Sequence, residues 1–298
     1  MKILLLGASG QLGWELQRAL APLGEVLAPG RADGADLADP EQIEALARAI
    51  APDAIVNAAA YTAVDKAESE PALARLVNTE SVARLARVAH DARALLLHYS
   101  TDYVFDGSGD APRDEEAPTG PLSVYGQTKL DGEQAIQASG CKHLILRTSW
   151  VHAARGGNFA KTMVKLARER EQLRVIADQI GAPTGAELLA DVSVQALRAT
   201  LADPGRQGLY HATAGGETSW HGYARFVLEQ ALALGQVLKV QPQDVEAIPT
   251  AAYPTPAQRP LNSRLDCRKL CTRFGLRQPP WQDGVRRMLA EVLGERGL

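Results

Sequence analysis

The sequence predicts an α/β fold: a Rossmann-like doubly wound parallel sheet with a smaller C-terminal substrate-binding lobe. Three observations support this prediction. Short apolar runs alternate with helix-like segments through the first half of the chain, a glycine-rich turn follows the first run, and prolines concentrate in the second half. Strands and helices that alternate at this spacing are typical of a parallel sheet whose crossovers are helices.

The strands of the predicted sheet are short apolar segments, the pattern expected of strands buried on both faces. They lie at 3–6, 25–28, 54–57, 94–98 and 144–146. The helices predicted between them begin near Leu12 and cover 40–50, 72–90 and 122–138. Asp39 is a suitable N-cap for the second helix, with Pro40 at its first position.

The second half predicts a smaller lobe set against the first. Its predicted helices cover 159–169, 187–201, 220–234 and 283–293. We divide the chain into a dinucleotide-binding Rossmann domain at 1–148 and a mainly substrate-binding lobe at 149–298, with segments that cross back to the first domain. The cluster of prolines in the second half supports this division.

The composition of the chain limits the classes of partner that it is expected to bind. The chain has 298 residues, 46% of them hydrophobic, and a net charge of −3. A nucleic-acid-binding protein usually carries a basic face, and a membrane span needs about 18 to 20 apolar residues in a row. Three cysteines without a zinc-like spacing are typical of a reducing compartment. We therefore expect a cytoplasmic protein that binds neither nucleic acid nor membrane.

A glycine-rich turn follows the first predicted strand. Gly7, Gly10 and Gly13 form a G-x-x-G-x-x-G pattern between that strand and a helix. Backbone N–H groups and the helix N-terminus then converge on one point, which suits a pyrophosphate. The alternative is a tight strand–helix turn that binds nothing. The position of the motif at the first strand favours a dinucleotide site.

The residues after the next strands bear on the choice of cofactor. Arg31 stands where an NAD-preferring site often has an acid, and its guanidinium suits a 2′-phosphate, so we expect NADPH, with NADH as the alternative. A solvated surface arginine is the competing interpretation. We place Asp36 and Leu37 after the third strand, where they would reach the adenine. Ala58 directly follows the strand at 54–57, and small side chains at the end of that strand leave room for a cofactor.

A tyrosine and a lysine one helical turn apart carry the predicted chemistry. Tyr125 and Lys129 share one helix face, and an ammonium near a phenol lowers the phenol pKa and makes it a proton donor. Thr101 follows an apolar strand, where its hydroxyl can donate to a carbonyl oxygen that gains charge. Ser100 is the rival for this role, and a turn-capping hydroxyl is the alternative for both.

One aromatic residue and the absence of several motifs bear on the remaining candidate functions. Trp150 follows a strand and suits either stacking on a sugar or packing in the core. The six histidines have no His-x-His or HExxH spacing, so we expect most of them to be ordinary surface or core residues. Neither a Gly-x-Ser-x-Gly elbow nor a Walker sequence occurs, which disfavours hydrolases and P-loop enzymes.

Together these motifs resemble the extended short-chain dehydrogenase/reductases. Longer runs at 10–17, 56–68, 98–105, 147–151, 158–162, 181–191 and 259–265 are similar to the dTDP-4-dehydrorhamnose reductase family over essentially the whole chain. The resemblance implies NADPH-dependent reduction of the C4 ketone of dTDP-4-dehydro-6-deoxy-L-mannose to dTDP-L-rhamnose. Such a product would serve polysaccharide biosynthesis, and the implied partner is a dTDP-sugar.

The resemblance also implies residue roles. Tyr125 would donate the proton, Lys129 would hold the nicotinamide ribose and lower the Tyr125 pKa, and Thr101 would bind the carbonyl oxygen. The residues implied for the cofactor, besides the glycine turn, are Gln11, Leu12, Ala60, Tyr61, Thr62 and Tyr99. The residues implied for the substrate are Val64, Asp102, Trp150 and Arg259.

Two further implications concern assembly and rival functions. Some members of the family are magnesium-dependent homodimers, and the acidic positions that match are Glu15, Glu187 and Glu291.

The alternatives to the reductase function are another sugar-nucleotide enzyme, such as a 4,6-dehydratase or epimerase, and a non-catalytic regulatory subunit. Asp102 is followed by Tyr103 rather than by a second acid, which disfavours the dehydratase. The intact catalytic motif disfavours the regulatory subunit.

Overall fold

The computed structural model describes residues 1–294, and its centre is a six-stranded parallel sheet. The strand order is β2-β1-β3-β4-β5-β10. These strands are β1 (Lys2–Leu6), β2 (Glu25–Leu27), β3 (Ala54–Asn57), β4 (Leu95–Thr101), β5 (Lys142–Thr148) and β10 (Gly208–His211). The predicted doubly wound sheet is confirmed, and the chain reverses its direction of travel across the sheet between β1 and β3.

Helices cover both faces of this sheet. On one face α1 (Gln11–Leu20) packs beside α8 (Ala186–Ala202). The other face carries α2 (Pro40–Ile50), α5 (Ser81–Ala92) and α6 (Val124–Ala138). Strand residues alternate between the two cores, with Leu5 in one and Leu4 in the other. This alternation explains why each strand is apolar throughout.

A separate core belongs to the smaller part of the molecule. It forms where α7 (Phe159–Glu169), α9 (Trp220–Ala233) and α11 (Trp281–Leu293) pack together around Tyr223 and Trp281. Short strand pairs lie beside it, whereas α10 (Arg268–Phe274) packs against the sheet core next to β10 and α8. These short strands are β6 (Val151–His152), β7 (Arg174–Ile176), β8 (Ile180–Gly181), β9 (Thr184–Gly185), β11 (Thr218–Ser219) and β12 (Glu246–Ile248).

The sixth strand of the sheet comes from the second half of the chain. Gly208–His211 pairs with β5, so the chain returns to the first core after building α8. The predicted division at 1–148 and 149–298 stays a prediction. Among the helices within residues 1–294, none combines the length and the apolar character that a membrane crossing requires.

Two predicted elements differ from the structure. Asp36 and Leu37 lie between β2 and α2, and the third strand, β3, begins only at Ala54, so their placement after a third strand is wrong. The helix predicted at 72–90 is divided into α4 (Pro71–Arg75), a π-helical turn (Leu76–Glu80) and α5, and α3 (Val64–Ala67) precedes it.

The π turn carries a buried asparagine with several partners. The Asn78 side chain exchanges two hydrogen bonds with the Tyr61 backbone, at 2.9 and 3.1 Å, and also donates to the Thr128 hydroxyl at 3.2 Å. A Cβ on Gly132 would lie 2.3 Å from the Asn78 carbonyl oxygen. The widened turn therefore fits the close approach of α6, since π-bulges occur where a helix must adapt locally.

A buried ion pair joins α6 to the sheet. The Arg147 guanidinium on β5 donates to both carboxylate oxygens of Glu133 on α6, at 2.9 and 2.6 Å. Their side chains are 4% and 2% exposed, and the guanidinium lies 5.0 Å from the centre of the Phe105 ring. Because α6 carries Tyr125 and Lys129, this pair helps to fix the position of both residues.

Replacing Arg147 by methionine should destabilise the protein strongly, because Glu133 would stay buried without a partner. We expect the free energy of unfolding to fall by about 3–5 kcal/mol in urea titrations. Arg174→Met is the control, since Arg174 pairs with Glu246 at the surface, and a change of at most about 1 kcal/mol is expected. Equal effects of the two substitutions would contradict this assignment.

Candidate active site

The candidate site lies at the carboxyl edge of the sheet, where the strand order reverses. The ends of β1, β3 and β4 bring Gly7, Ala58 and Thr101 to this edge. Ligands of doubly wound sheets bind at such a switch point. The glycine turn and Thr101 therefore lie at the same edge of the sheet.

The glycine turn is a close-packed backbone cradle. Gly7 has φ +79°, and a Cβ there would lie 2.6 Å from the Ala59 nitrogen. A Cβ on Gly13 would lie 2.0 Å from the Gly7 carbonyl oxygen, so α1 packs directly on the turn. Gly10 caps α1 without a side-chain hydrogen bond, and the first N–H groups of that helix remain available. The turn therefore fits a pyrophosphate.

The residues implied for the rest of the cofactor surround this cradle. Gln11 accepts a hydrogen bond from the Asn158 amide at 3.2 Å, and Leu12 packs against the sheet core. Tyr61 donates its hydroxyl proton to Glu70 at 2.7 Å. Ala60 is half-buried and Thr62 is exposed beside them.

The residues predicted to bind the adenosine end of the cofactor differ in their exposure and in their hydrogen bonds. Arg31 is exposed and begins a 3₁₀ turn (Arg31–Asp33) just after β2. The Asp36 carboxylate accepts from the Ala38 N–H at 3.0 Å. Leu37 is buried in the core beside α5, and its carbonyl accepts from the Ser81 hydroxyl at 2.6 Å. Of these residues, Arg31 is the one with an exposed functional group.

Tyr99 presents its backbone, not its phenol, to Lys129. Its hydroxyl donates to Ser193 on α8 at 2.7 Å, and burial raises the pKa of this phenol above its usual range. The Tyr99 carbonyl accepts a hydrogen bond of 2.6 Å from the Lys129 Nζ atom. Tyr99 therefore packs α8 against the sheet while its carbonyl orients Lys129.

Thr101 and Asp102 form a buried polar pair at the end of β4. The Thr101 hydroxyl donates to Asp102 at 3.1 Å and accepts from the Tyr103 N–H at 3.2 Å. Burial raises the pKa of Asp102 to about 6, although hydrogen bonds from Ser263 and Thr101 oppose this shift. The rival hydroxyl of Ser100 is buried and has no hydrogen-bond partner among residues 1–294.

Tyr125 and Lys129 lie on one face of α6, but their electrostatics differ from the prediction. Burial raises the pKa of Tyr125 to about 12, which outweighs its hydrogen bond with Thr101. Lys129 directs its Nζ atom to the Tyr99 carbonyl and, at 3.2 Å, to His98 Nε2. The expectation that Lys129 lowers the Tyr125 pKa is therefore wrong for this structure, because desolvation dominates and the amino group has other partners.

Burial also acts on Lys129 itself. It lowers the pKa of Lys129 to about 8, while the Glu133 carboxylate on the same helix acts in the opposite direction. His98, treated in the sequence as one of several ordinary histidines, is buried and contacts this amino group. No spacing motif identifies it, because its contact with Lys129 depends on how α6 packs against β4.

Trp150 stands at the boundary between the two cores. Its ring stacks on Trp220 with centroids 3.7 Å apart and an interplanar angle of 16°. Its backbone has φ +47°, and a Cβ on Gly181 would lie 2.9 Å from its Cε2 atom. One ring face is thus already stacked on another aromatic ring, and the role against a sugar stays a prediction.

Arg259 reaches the same edge from the second half of the chain. Its Nη2 atom donates to Asp65 at 2.7 Å, and Asp65 also accepts from the Ala257 N–H at 3.3 Å. Its Nη1 atom is buried and has no hydrogen-bond partner among the described residues. Asp65 neighbours Val64 at the start of α3, so the two predicted substrate residues are held together. The local sequence around Asp65 does not indicate this contact, because its partner lies 194 residues away.

The three glutamates implied for magnesium share one surface. Burial raises the pKa of Glu15, and the charges of Glu187 and Glu291 act in the same direction. Arg287 pairs with Glu187 at 3.0 Å. Within residues 1–294 no group of three His, Cys, Asp or Glu side chains has the geometry to hold a metal. Within one chain these residues therefore do not fit a metal site, and no step of the reaction is assigned to magnesium.

The chain matches known proteins over nearly its whole length. Residues 1–293 match the family model described as the RmlD substrate binding domain. The chain is 55% identical to a dTDP-4-dehydrorhamnose reductase of Escherichia coli K12, over 98% of each sequence. The structure of a dTDP-4-dehydrorhamnose reductase of Bacillus anthracis in complex with NADP has a TM-score of 0.88 and 33% identity, covering 97% of this chain and 99% of that one.

A second solved structure agrees with the first. A dTDP-4-dehydrorhamnose reductase of Clostridium acetobutylicum also has a TM-score of 0.88 and 33% identity, covering 98% of this chain and 99% of that one. These similarities extend over both cores and are not confined to the dinucleotide-binding half.

Gly13→Ala should open the glycine turn, since the added methyl group would meet the Gly7 carbonyl. We expect the free energy of unfolding to fall by about 1–3 kcal/mol and NADPH binding, followed by nucleotide fluorescence, to weaken. Gly157→Ala is the control, because a Cβ there meets nothing within 4 Å. Unchanged NADPH affinity in Gly13→Ala would show that the turn does not hold the cofactor.

Proposed function

The chain belongs to the dTDP-4-dehydrorhamnose reductase family, and from this premise we propose how its residues perform the reaction. It reduces the C4 ketone of dTDP-4-dehydro-6-deoxy-L-mannose to dTDP-L-rhamnose with NADPH. The observation that carries the mechanism is the convergence of Thr101, Tyr125 and Lys129 beside the glycine turn at one edge of the sheet. When bound, the dihydronicotinamide supplies the hydride.

Tyr125 is the proton donor. Its raised pKa keeps the phenol protonated at neutral pH, so the proton is in place when the ketone oxygen gains charge. A secondary alkoxide is a stronger base than a phenolate, so transfer from Tyr125 to the forming alkoxide is downhill. A pKa near 12 therefore does not prevent Tyr125 from acting as an acid.

Thr101 and Lys129 orient the reacting groups. Thr101 already holds hydrogen bonds with Asp102 and the Tyr103 backbone, which fix its hydroxyl at the end of β4. We assign it to the carbonyl oxygen of the substrate: its one proton, which Asp102 accepts in the structure, would turn to the ketone oxygen as that oxygen gains charge. Lys129 is fixed by the Tyr99 carbonyl and is assigned to the ribose of the cofactor.

The phosphate groups of the two ligands are assigned to different residues. The N-terminus of α1 is assigned to the pyrophosphate of NADPH and the exposed Arg31 to its 2′-phosphate. Arg259 is assigned to the substrate diphosphate, since its Nη1 atom is buried without a partner among the described residues. Magnesium binding and a homodimer stay predictions.

Tyr125→Phe should lose most of the turnover, because the substituted ring has no proton to give. We expect kcat to fall by about 10²- to 10⁴-fold in a spectrophotometric assay with NADPH and the keto-sugar nucleotide. Tyr210→Phe is the control: Tyr210 is also buried, and its hydroxyl binds the Arg206 carbonyl outside the site. Near wild-type turnover in Tyr125→Phe would disprove the role.

Arg31→Ala should reduce the preference for NADPH over NADH. Loss of a charge-assisted contact is expected to raise the KM for NADPH by roughly 10-fold and to leave the KM for NADH nearly unchanged. Arg225→Ala, an exposed arginine on α9, is the control. Equal changes with both cofactors would remove Arg31 from the 2′-phosphate site.

A further inference from the structure

Trp150 adopts a backbone conformation that is rare for a bulky residue. Its φ of +47° lies in the left-handed region. The Thr184 N–H donates to the Trp150 carbonyl at 3.2 Å. The preceding Ser149 donates its hydroxyl proton to the Ala182 carbonyl at 3.0 Å, so the neighbouring segment holds this backbone on both sides. Conformations of this kind persist where the surrounding structure determines them, and they concentrate at functional sites.

A short series of contacts connects Trp150 with the residue assigned to the ketone oxygen. A Cβ on Gly181 would lie 2.9 Å from Trp150 Cε2 and 3.2 Å from Ser263 Cβ, so Gly181 separates the two with no room for a side chain. Burial raises the pKa of Asp102, and the Ser263 hydroxyl acts in the opposite direction because it lies beside that carboxyl. Asp102 also accepts from the Thr101 hydroxyl at 3.1 Å. The Trp150 ring therefore belongs to the surroundings of the reacting groups.

A second indole covers one face of the Trp150 ring. The centroids of Trp150 and Trp220 are 3.7 Å apart, with 16° between the ring planes. Trp150 is half-buried, so part of its ring stays accessible. An indole offers an apolar surface on which the C–H groups of a sugar can pack. The plane of the Trp150 ring thus determines how a hexose packed on it would lie.

Trp220 is itself fixed from several sides. Its Nε1–H donates to Gln179 Oε1 at 3.1 Å. Gln179 is 2% exposed, and its amide donates to the Thr250 hydroxyl at 3.1 Å, so the acceptor oxygen is held toward the indole. The Trp220 ring also packs against Phe159, with centroids 4.7 Å apart. Finally, β11 directly precedes Trp220 and pairs with β8, which contains Gly181. The face and the edge of the Trp150 ring therefore contact one small structural unit.

We propose that Trp220, held by Gln179, is a positioning residue that fixes the plane of Trp150 against the hexose of the substrate. This inference rests on the proposed function, because it concerns the sugar half of the same substrate. A rotation of the Trp150 ring would displace the C4 ketone from Thr101 and Tyr125, and a displacement of about 1 Å can cost roughly 100-fold in rate. Trp220 should therefore affect both sugar affinity and turnover through Trp150.

Two nucleotides separate the sugar site from the rest of the substrate site. dTDP-L-rhamnose and dTDP differ by the hexose alone, so loss of the support from Trp220 should weaken only the first. In Trp220→Leu we expect the Kd of dTDP-L-rhamnose, measured by calorimetry, to rise about 10-fold and the Kd of dTDP to change by less than about 2-fold. An unchanged Kd of dTDP-L-rhamnose, or equal weakening of both nucleotides, would overturn the proposal.

Phe226→Leu is the matched control on the same helix. The Phe226 ring packs against Trp281, with centroids 4.9 Å apart, in the core of the smaller part of the molecule. This variant should leave both Kd values unchanged, and an effect equal to that of Trp220→Leu would contradict the role of the stacked ring. Trp220→Phe keeps an aromatic ring on Trp150 and should recover most of the affinity for dTDP-L-rhamnose. Absence of any recovery would also overturn the proposal.

Circular dichroism reports the stacked pair without substrate. Two stacked indoles give an exciton couplet in the far-ultraviolet spectrum, which should disappear in Trp220→Phe and Trp150→Phe and persist in Phe226→Leu. A wild-type spectrum that these substitutions of Trp150 and Trp220 leave unchanged would show that the rings do not stack in solution and would overturn the proposal.

Steady-state kinetics test the effect on the reaction. In Trp220→Leu we expect kcat/KM for the keto-sugar nucleotide to fall by about 10- to 100-fold, with both kcat and KM affected and the KM for NADPH unchanged. A wild-type enzyme that reduces the keto-sugar nucleotide, together with a Trp220→Leu variant that binds dTDP-L-rhamnose and turns over normally, would refute this inference alone. Binding of dTDP-L-rhamnose that depends on Trp220, in a wild-type protein that does not reduce the keto-sugar nucleotide, would refute the proposed function alone.

Discussion

The site depends on how α6 is fixed to the sheet by the buried pair of Arg147 and Glu133. Two charges removed from water stabilise a protein only when hydrogen bonds compensate for the lost hydration. Here Arg147 Nε and Nη2 bind both carboxylate oxygens of Glu133, while Arg147 Nη1 is buried without a partner among residues 1–294. A helix held in this way cannot rotate or slide without separating the charges. Tyr125 and Lys129 lie on the first turns of that helix, so the orientation of the catalytic face follows from the ion pair.

Burial then determines the chemistry of the groups on that face. It raises the pKa of Tyr125 to about 12 and lowers that of Lys129 to about 8, so in both groups burial disfavours the charged form. Asp102 responds in the same direction, with a pKa near 6. The apolar core beneath the carboxyl edge thus supplies the low dielectric that makes a few hydrogen bonds decisive.

The sheet and the location of the site were predictable from the sequence because both depend on local patterns. Apolar runs, the glycine turn and the tyrosine–lysine spacing each lie within a few residues. The strand at Gly208–His211 was not predicted. Four residues without a clear hydrophobic periodicity form a strand only where another strand, here β5, provides an edge to pair with. The pKa of Tyr125 was wrongly anticipated because spacing on α6 places Lys129 nearby but does not show where its amino group points. That direction is set by His98 and the Tyr99 carbonyl, about 30 residues earlier in the chain.

The second half of the chain completes the site through contacts that no local pattern contains. Asp65 binds Arg259 across 194 residues, and the Ala257 N–H adds a second tie between the same segments. Asp65 neutralises one edge of the Arg259 guanidinium and fixes its plane. The Nη1 atom of Arg259 is buried and has no hydrogen-bond partner among residues 1–294. An unmatched buried donor is costly, and an anionic oxygen bound there would remove that cost. The ion pair with Asp65 is therefore compatible with binding of a diphosphate by Arg259, because it orients the free edge of the guanidinium in advance.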